Sequence, residues 1–420
     1  MVSLAELGGT STQLPRDAFL RAAATVEDAA IMGLSGDEVE TAVLYDLLRG
    51  QPLVIVDSPP GAGKSTLIAN ICWRMHTLGT QSITVAVPTH HAARDLAQLI
   101  AARFDPSPHP VVSLPGGRWA KTRVPGVSTG PGKLATPISV RTVASCRMSP
   151  PSGELLIFDE AYQTTVADAL VAANEANQVL LVGDPGQIGP VNALSVEPWQ
   201  EMEVGPHDRA PMFFAAHPHS VTYSLPTSYR LGKASVRAIS PLYDFSFASG
   251  RGEICVAGHH ELASLELPVC EDPADYQAMT RVIQRCMDLL GATINAPGKR
   301  GVKVAQEDIS IIAARNTQIS RLEALLSSHK LAGVSVGTAD SLQGSQFACV
   351  ISIDPYFGAP YGSDHSASLE RLCVMASRHF AHLTWAYSPD FQHVITDHVS
   401  DPTEAATHLE VRSRLIGCKN

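Results

Sequence analysis

The sequence lacks any long apolar run, and its amino terminus lacks the basic patch and apolar core of a secretion signal. No stretch reaches the roughly 18 apolar residues that a membrane-spanning helix needs. Low-complexity tracts and long charge runs are also absent, while 45% of the 420 residues are hydrophobic and 17% are charged. We therefore expect a folded, soluble, cytoplasmic protein with no membrane partner, long enough for two domains of ordinary size.

Paired cysteines are missing as well. The eight cysteines are scattered and form no C-x-x-C pair, which argues against a zinc ribbon and against a disulfide framework. Histidines stand side by side at positions 90–91 and 259–260, but no cysteine or carboxylate nearby completes a set of four ligands. We expect reduced, mostly buried thiols and no structural metal.

Positive charge is scarce, because the formal net charge is −10, whereas proteins that bind the phosphates of nucleic acids often carry a basic excess. The scarcity is not uniform. Between residues 105 and 152 the only acid is Asp105, and the basic residues there are Arg118, Lys121, Arg123, Lys133, Arg141 and Arg147. This locally basic segment keeps nucleic acid open as a partner.

Short apolar runs alternate with helical stretches along the chain, beginning with PLVIVDS, ITVAVPT, ELLIFDE and QVLLVGD. Continuous rather than alternating hydrophobicity indicates strands that are covered on both faces. The same pattern repeats from VTYSL to HLTWAYS in the second half. The sequence therefore predicts an α/β fold of two tandem domains, each a mostly parallel sheet flanked by helices.

We place the domain boundary after an irregular, Pro- and His-rich segment near residues 190–220. The first domain then covers 34–222 and the second covers 223–400. Residues 1–33 are predicted as an amino-terminal extension and 401–420 as a carboxy-terminal tail. Residues 105–135 hold many Pro and Gly and show no period, so we interpret them as a long basic loop inserted in the first domain.

A phosphate-binding loop is predicted where the run PLVIVDS is followed by PPGAGKST and a helical stretch. In such a loop the backbone N–H groups and the positive helix end bind phosphates, while Lys64 bridges the outer phosphates and Ser65 holds Mg²⁺. Ser58 stands where the first glycine of the pattern is usual. The candidate ATP-binding residues are Pro60, Gly61, Ala62, Gly63, Lys64, Ser65 and Thr66.

The run LLIFDEAYQ places two acids, Asp159 and Glu160, at the carboxyl end of a predicted strand, where ligands bind in open α/β sheets. Asp159 is a candidate ligand of Mg²⁺ and part of the ATP site. Glu160 is a candidate to orient and deprotonate the attacking water. Together with the phosphate loop, these acids predict an ATP hydrolase that uses Mg²⁺.

At this point the sequence resembles the superfamily 1 helicases. The string DEAYQ is similar to the D-E-A-x-Q motif of the Upf-like branch, and SPPGAGKS is similar to its phosphate loop. Further segments follow in the family's order over roughly residues 34–388: VPTHHAARDL (motif Ia), VRTVASC, VGDPGQIGPV (motif III), LPTSYR (motif IV), VGTADSLQGSQFACVISI (motif V) and RLCVMASRHF (motif VI). The resemblance implies two tandem RecA-like P-loop domains.

The resemblance also implies catalytic roles for Gln187 in motif III, Arg230 in motif IV and Arg378 in motif VI, and a place in the ATP site for Gly344 in motif V. Both arginines would stabilise charge on the γ-phosphate. Other positions that the family patterns single out are Gln318 and Arg371. Three positions depart from the family pattern: Glu38, where a Gln that reads adenine is expected; Gln346, where motif V usually has Glu; and Cys373, where motif VI frequently has Asn.

Candidate contacts to a nucleic-acid strand come from the same motifs. The resemblance implies Thr89, His90, Thr142 and Thr338 along one face. In the basic loop, Arg118 and its neighbours surround Trp119, whose ring could stack on a base. An equally open interpretation is a solvated loop whose Trp119 is tucked against the core.

The predicted function is therefore an ATP-dependent helicase or translocase on single-stranded DNA or RNA, with hydrolysis in the cleft between the two domains coupled to movement along the strand. The alternative is an ATPase stimulated by nucleic acid that clamps or remodels within a larger complex of protein partners, without unwinding. The residues leave the choice between DNA and RNA open.

Overall fold

The computed structural model describes residues 35–132, 136–190, 199, 202, 204–296, 301–358 and 368–417. These residues divide into two compact units. The first contains the described residues up to Pro185 together with Gly189–Pro226, and the second contains Gly186–Ile188 together with the chain from Thr227 onward. The predicted extension 1–33 lies outside the described residues. Among the described helices, none combines the length and apolarity needed to cross a membrane.

The first unit is built on a sheet of eight parallel strands, as far as the described residues show, in the order β4-β3-β5-β2-β6-β7-β1-β8. Its strands are β1 (Leu53–Asp57), β2 (Ile83–Val87), β3 (Val112–Pro115), β4 (Val127–Gly130), β5 (Ile138–Thr142), β6 (Gly153–Asp159), β7 (Ala176–Gly183) and β8 (Ser220–Ser224). Its helices are α1 (Gly36–Arg49), α2 (Lys64–Thr77), α3 (His90–Ala101), α4 (Val143–Met148), α5 (Val166–Ala173) and α6 (Ala210–Ala215).

Both faces of this sheet are covered, as the continuous apolar runs predict. In strand β1, Val54 and Val56 pack into a core formed with α1, α2 and α3. The alternate residues Leu53 and Ile55 pack into a second core formed with α4, α5 and α6. Because successive side chains of a strand point to opposite faces, only a run that is apolar throughout can fill both cores.

The inserted segment 105–135 is more regular than predicted. It contributes the edge strand β4, its neighbour β3 and a short 3₁₀ turn at Gly117–Trp119. Both strands are only four residues long, too short to show a period, and the glycines around them resemble loop composition. The prediction of a loop was therefore wrong for these short elements, whereas residues 105–111 and 120–126 form no strand or helix.

The second unit contains a parallel sheet in the order β12-β18-β17-β15-β16 and two small sheets, β9-β10 and β11-β13-β14. Its strands are β9 (Thr227–Ser228), β10 (Ala248–Ser249), β11 (Cys255–Val256), β12 (Leu262–Glu266), β13 (Thr293–Asn295), β14 (Val302–Lys303), β15 (Ile309–Ile312), β16 (Ser335–Gly337), β17 (Phe347–Ile353) and β18 (His379–Tyr387). Its helices are α7 (Lys233–Ile239), α8 (Tyr276–Leu289), α9 (Asn316–Ser328), α10 (Leu369–Ser377), α11 (Phe391–His398) and α12 (Pro402–Ile416).

The larger sheet of this unit is also covered on both faces. One core joins Ile309 and Ile311 to α8 and α9, and the other joins Val350 and Trp385 to α7, α10 and α12. Two α/β units with parallel sheets flanked by helices are therefore present, and the predicted fold class is confirmed.

Two of the observed limits differ from the boundaries we predicted. Strand β8, which we grouped with the second domain's pattern, pairs in parallel with β1, so the first unit extends to Pro226. Helix α12 lies within the predicted tail 401–420, yet its Val411 and Leu415 are buried in the second unit's core. An apolar strand of five residues does not reveal in the sequence which sheet it joins.

Candidate nucleotide-binding and nucleic-acid-binding sites

The phosphate loop runs from the end of β1 to the start of α2. Gly61 and Gly63 have positive φ angles of 73° and 89°. Residues with a Cβ rarely adopt this backbone conformation. Helix α2 begins at Lys64, with Gly63 as its N-cap. The first N–H groups of a helix have no acceptor within it, so those of Lys64, Ser65 and Thr66 form a positive helix end suited to phosphate.

Hydrogen bonds of Ser58 account for the serine at the position where the pattern usually has glycine. Its side chain is fully buried, and both its backbone N–H and its Oγ donate to the carbonyl of Gly183, at 2.9 and 3.0 Å. Gly183 ends strand β7, the neighbour of β1. The hydroxyl therefore ties the start of the phosphate loop to the adjacent strand, a role that glycine could fill only with its N–H.

The acids predicted from LLIFDEAYQ lie beside the loop. The Nζ of Lys64 is 3.5 Å from Oε1 of Glu160, while Asp159 is 6% exposed at the end of β6. Burial raises the pKa of Asp159 to about 7, with a further contribution from Glu160, and Lys64 opposes the shift. The structure thus brings together the predicted lysine, the predicted base and the predicted Mg²⁺ ligand.

Glu160 has an unusual backbone. It adopts the left-handed conformation, with φ 52° and ψ 46°, which costs a residue other than glycine about 1–3 kcal/mol. The turn is fixed by the N–H of Gln163, which donates to the Glu160 carbonyl at 2.8 Å. Such strain clusters at functional sites, and here it sets the direction of the carboxylate that meets Lys64.

Tyr162 at this edge was not predicted, whereas Gly183 belongs to the segment VGDPGQIGPV that resembles motif III. The hydroxyl of Tyr162 donates to Oδ1 of Asp57 at 2.7 Å, which links the end of β1 to the turn after Glu160. Gly183 leaves no room for a side chain, because an added Cβ would lie 2.8 Å from the Tyr162 ring. The position of Tyr162 inside DEAYQ was the available signal.

In the second unit, Arg230 and Arg378 converge on one residue. Nη1 of Arg230 donates to the carbonyl of Ser377 at 3.3 Å, and Nη2 of Arg378 is 3.3 Å from the Ser377 Oγ. Arg378 is 1% exposed, and its Nε has no hydrogen-bond partner among the described residues. The two predicted arginines thus lie together at the end of helix α10.

Motifs III and V also meet within the second unit, to which Gly186–Ile188 belongs. Nε2 of Gln343 is 3.3 Å from Oε1 of Gln187 and 3.4 Å from the carbonyl of Ile188. The next residue, Gly344, has φ 86°, so the turn after Gln343 favours glycine. Gln343 was not singled out from the sequence, although it precedes a predicted site residue.

The remaining positions singled out by the family patterns have structural partners. Arg371 forms a two-pronged contact with Asp340, at 3.2 Å for each hydrogen bond. Gln318 is fully buried, where its Oε1 accepts the N–H groups of Ala314 and Arg315.

Two of the positions that depart from the family pattern also have structural partners. The Glu38 side chain accepts the N–H of Ser35 and so caps helix α1. The Sγ of Cys373 lies 3.1 Å from the hydroxyl of Tyr243.

The three threonines proposed for strand binding share a local role. Thr89 and Thr142 are the N-caps of α3 and α4, accepting N–H groups of those helices at 3.2 Å. Thr338 accepts the N–H of Ser341 at 3.2 Å. Thr142 pairs with Val87 in adjacent strands, so Thr89 and Thr142 lie at one edge of the first sheet. Their helix starts present N–H groups suited to backbone phosphates.

The hypothesis of a stacking Trp119 needs correction. Its ring is 8% exposed and belongs to the first core, where it contacts the His90 ring edge to face at 5.9 Å. Arg118, Lys121 and Arg123 around it are exposed. The basic charge of the segment is therefore accessible, whereas the indole is not free to stack on a base in this arrangement.

A family model described as the AAA domain matches residues 41–193, which contain the phosphate loop and both acids. No curated protein matches the chain. Among solved structures, a PRRSV helicase is similar at 18% identity and a TM-score of 0.44, covering 83% of this chain and 54% of that chain. The arterivirus nonstructural protein 10 helicase, solved with DNA, is similar at 19% identity and a TM-score of 0.46, covering 82% and 62%.

The chain thus spans between 54% and 62% of the length of these two viral helicases. The match to the AAA domain family supports a nucleotide-binding domain in the first half of the chain. The identity to both helicases is below 20% and both TM-scores are below 0.5.

Proposed function

We propose that this chain is an ATP-dependent helicase or translocase that acts on single-stranded nucleic acid. The observation that carries the proposal is the 3.5 Å contact between Lys64 and Glu160, beside the buried Asp159. A phosphate-loop lysine next to a carboxylate that can accept a proton is suited to hydrolysis of a phosphoanhydride. The AAA domain match over residues 41–193 supports nucleotide chemistry at the same place.

Binding of ATP would use the helix end of α2. The N–H groups of Lys64, Ser65 and Thr66 would donate to the phosphates, and the Lys64 ammonium would pair with the outer phosphates. In doing so, Lys64 would exchange its contact with Glu160 for a stronger one with phosphate. The Glu160 carboxylate would then be available to orient a water and accept its proton.

The residues present fit a magnesium ion. Asp159 is a buried carboxylate whose pKa is raised to about 7, because burial and Glu160 both disfavour its charge, and a cation would relieve this cost. Ser65, the second residue of α2, offers a hydroxyl. When bound, Mg²⁺ supplies positive charge that offsets the charge of the outer phosphates. Ser65 and Asp159 would hold it.

The second unit would supply the charge that the transition state needs. Phosphoryl transfer depends mainly on stabilising negative charge around the γ-phosphoryl group. Arg230 and Arg378, which share Ser377 as a contact, would provide it, and Gln187 would help to orient the reacting groups. Because hydrolysis would then need residues of both units, it could be coupled to their relative motion and to movement along a strand.

The strand would contact Thr89, His90 and Thr142 in the first unit and Thr338 in the second. Exposed Arg118 would add charge from the neighbouring basic segment. Capped helix starts and basic side chains recognise the sugar–phosphate backbone rather than the base sequence. This predicts binding to single strands with little sequence preference and a strong dependence on salt.

The test is ATP hydrolysis by the purified protein at low salt, with and without single-stranded DNA or RNA, beside Glu160→Gln. We expect one of the polymers to stimulate hydrolysis, and the stimulated rate to be lost in the variant. Separation of a forked duplex then distinguishes a helicase from an ATPase that clamps or remodels. Hydrolysis that neither polymer changes would contradict a nucleic-acid motor, and hydrolysis that Glu160→Gln leaves intact would contradict the site.

A further inference from the structure

A second concave site lies in the second unit, between the edge strand β12 and helix α8. Its volume is about 490 Å³, within the range of small-molecule sites. Two arginines of α8, Arg281 and Arg285, line it together with His259, His260 and Asp288. None of these residues has a part in the proposed ATP site.

The guanidinium of Arg285 is held in a fixed orientation. Its Nε donates to Oγ1 of Thr384 at 3.0 Å, and its Nη2 lies 3.1 Å from Nε2 of His382. Nδ1 of His382 lies 2.6 Å from the carbonyl of His260, so Nδ1 carries the proton and Nε2 accepts from Arg285. Burial lowers the pKa of His382 to about 4, which keeps this ring neutral near pH 7.

The positive charge of Arg285 is not balanced by a direct ion pair. Its partners are a hydroxyl and a neutral imidazole, and within the described part of the chain no carboxylate lies at ion-pair distance from it. Burial lowers the pKa of Arg285, yet an arginine remains protonated in proteins. Asp288 acts on Arg285 from beyond ion-pair distance and opposes the lowering of its pKa. A half-buried charge normally has a closer counter-charge, so this site is suited to an anion.

The other charged walls also leave an excess of positive charge. Arg281 lies one turn before Arg285 on α8, is exposed, and donates to the carbonyl of Glu266 at 3.2 Å. Asp288 is the acid of the wall, and it accepts from Gln284 at 3.3 Å. Burial lowers the pKa of His259, and Arg285 lowers it further. Two arginines thus face one carboxylate in the wall of this cavity.

We propose that this cavity binds a phosphate group, carried either by a small phosphorylated molecule or by a nucleic-acid backbone. The planar fork of arginine matches two phosphate oxygens at once, and two such forks lie one helical turn apart. The volume leaves space for a sugar or a base beside the phosphate. The proposal is independent of the proposed ATP site, because its residues are different.

The experiment uses the full chain with Lys64→Ala, so that phosphate binding at the loop is weakened and does not mask the second site. Calorimetry at low salt with pyrophosphate, and separately with a short single-stranded oligonucleotide, measures the affinity. We expect saturable binding that Arg285→Gln weakens roughly tenfold or more. Arg321→Gln, an exposed arginine on helix α9, is the matched control and should leave the affinity unchanged.

Two further variants protect the result against a folding defect of Arg285→Gln. Arg281→Gln changes an exposed residue and should also weaken binding, whereas Asp288→Asn removes the opposing charge and should tighten it. Misfolding cannot produce the tighter binding. Dependence on these residues with pyrophosphate alone identifies a small ligand, and with the oligonucleotide alone it identifies a strand. The proposal is overturned if neither probe saturates, or if Arg281→Gln and Asp288→Asn leave the affinity unchanged.

Discussion

Two buried aspartates lie at the ends of strands in the two units, and their carboxylates differ in their hydrogen-bond and ion-pair partners. Asp159 ends strand β6 in the first unit, and Asp354 directly follows strand β17 in the second. Asp354 is 1% exposed and accepts from Nε of Arg412 at 2.7 Å and from Nε1 of Trp385 at 3.1 Å. Asp159 accepts only the adjacent N–H of Glu160, at 3.0 Å, among the described hydrogen bonds.

The difference separates a carboxylate whose charge is compensated within the fold from one whose charge is disfavoured by its surroundings. Asp354 is neutralised by Arg412, itself fully buried, so its charge is already compensated and is unavailable for chemistry. Burial and Glu160 raise the pKa of Asp159. The charged form of its carboxylate is therefore unfavourable in the folded protein without a ligand. A buried carboxylate whose charge is disfavoured, at the end of a strand, is typical of a functional site.

The largest effect is expected in the second unit. It would show that the residues needed for hydrolysis are not confined to the first unit. Arg230→Gln should lower the rate of ATP hydrolysis about 10³-fold or more, because an arginine that stabilises the transferred phosphoryl group contributes 10³–10⁵ in other hydrolases. Phosphate release under saturating ATP measures the rate, and a nucleotide-binding assay should show that binding survives. Arg237→Gln, exposed on α7 of the same unit, is the control. A rate equal to that of the control would contradict the proposed role of Arg230 in the transition state.

The Asp354–Arg412 pair predicts the next largest effect, on stability rather than rate. Asp354→Ala should lower the free energy of unfolding by about 3–5 kcal/mol, because it leaves the fully buried Arg412 without a counter-charge. Urea unfolding followed by tryptophan fluorescence measures this. Replacing both partners by apolar residues, Asp354→Leu with Arg412→Met, should recover most of the loss. If the single variant were as stable as the parent, the pair would not be a structural support.

Asp159→Asn should act in the opposite direction and stabilise the protein above neutral pH. The pKa of Asp159 in the folded state is about 7, against a reference of 3.8, so between these values the folded state holds more protons than the unfolded state. Stability contributed by this group is therefore present at low pH and lost as the pH rises from about 4 to 7. Without the carboxylate, the free energy of unfolding at pH 8 should increase by roughly 2–4 kcal/mol.

The measurement is urea unfolding of the parent and of Asp159→Asn at pH 5 and pH 8 in a buffer without divalent cations. The gap between the two proteins should widen with pH, while the variant loses hydrolysis. A variant that is less stable than the parent at pH 8 would show that the Asp159 charge is compensated after all. Glu175→Gln, an exposed acid of the same unit, should leave the pH dependence unchanged.

Much of the phosphate site could be predicted from the sequence because it is local. Lys64 and Ser65 lie within one loop, and Asp159 and Glu160 follow one strand. Parallel strands bring their carboxyl ends to the same edge, so topology alone places these groups close together. The two sheets, each covered by helices on both faces, could also be predicted locally, because each strand is a continuous apolar run.

Features that depend on distant pairing could not be predicted in this way. The Asp354–Arg412 pair joins residues 58 positions apart, and the local sequence around Arg412 does not indicate that its side chain is buried. Trp119 sits among exposed basic residues, and only the tertiary structure shows that its ring packs against His90. The strand β8 was misassigned because the sequence reveals a strand but not its neighbour.

The smallest effect expected concerns Ser58, which departs from the usual glycine and yet bonds to Gly183. Ser58→Ala removes a buried hydroxyl that donates to a carbonyl, so it should lower the free energy of unfolding by about 1 kcal/mol. Ser58→Gly also restores the usual loop residue but adds backbone freedom in the unfolded chain, so it should be less stable than Ser58→Ala by a further amount of about 0.5–1 kcal/mol. Urea unfolding of the three proteins ranks them. If Ser58→Gly were the most stable, the hydroxyl would be a tolerated substitution rather than the tie between the phosphate loop and strand β7.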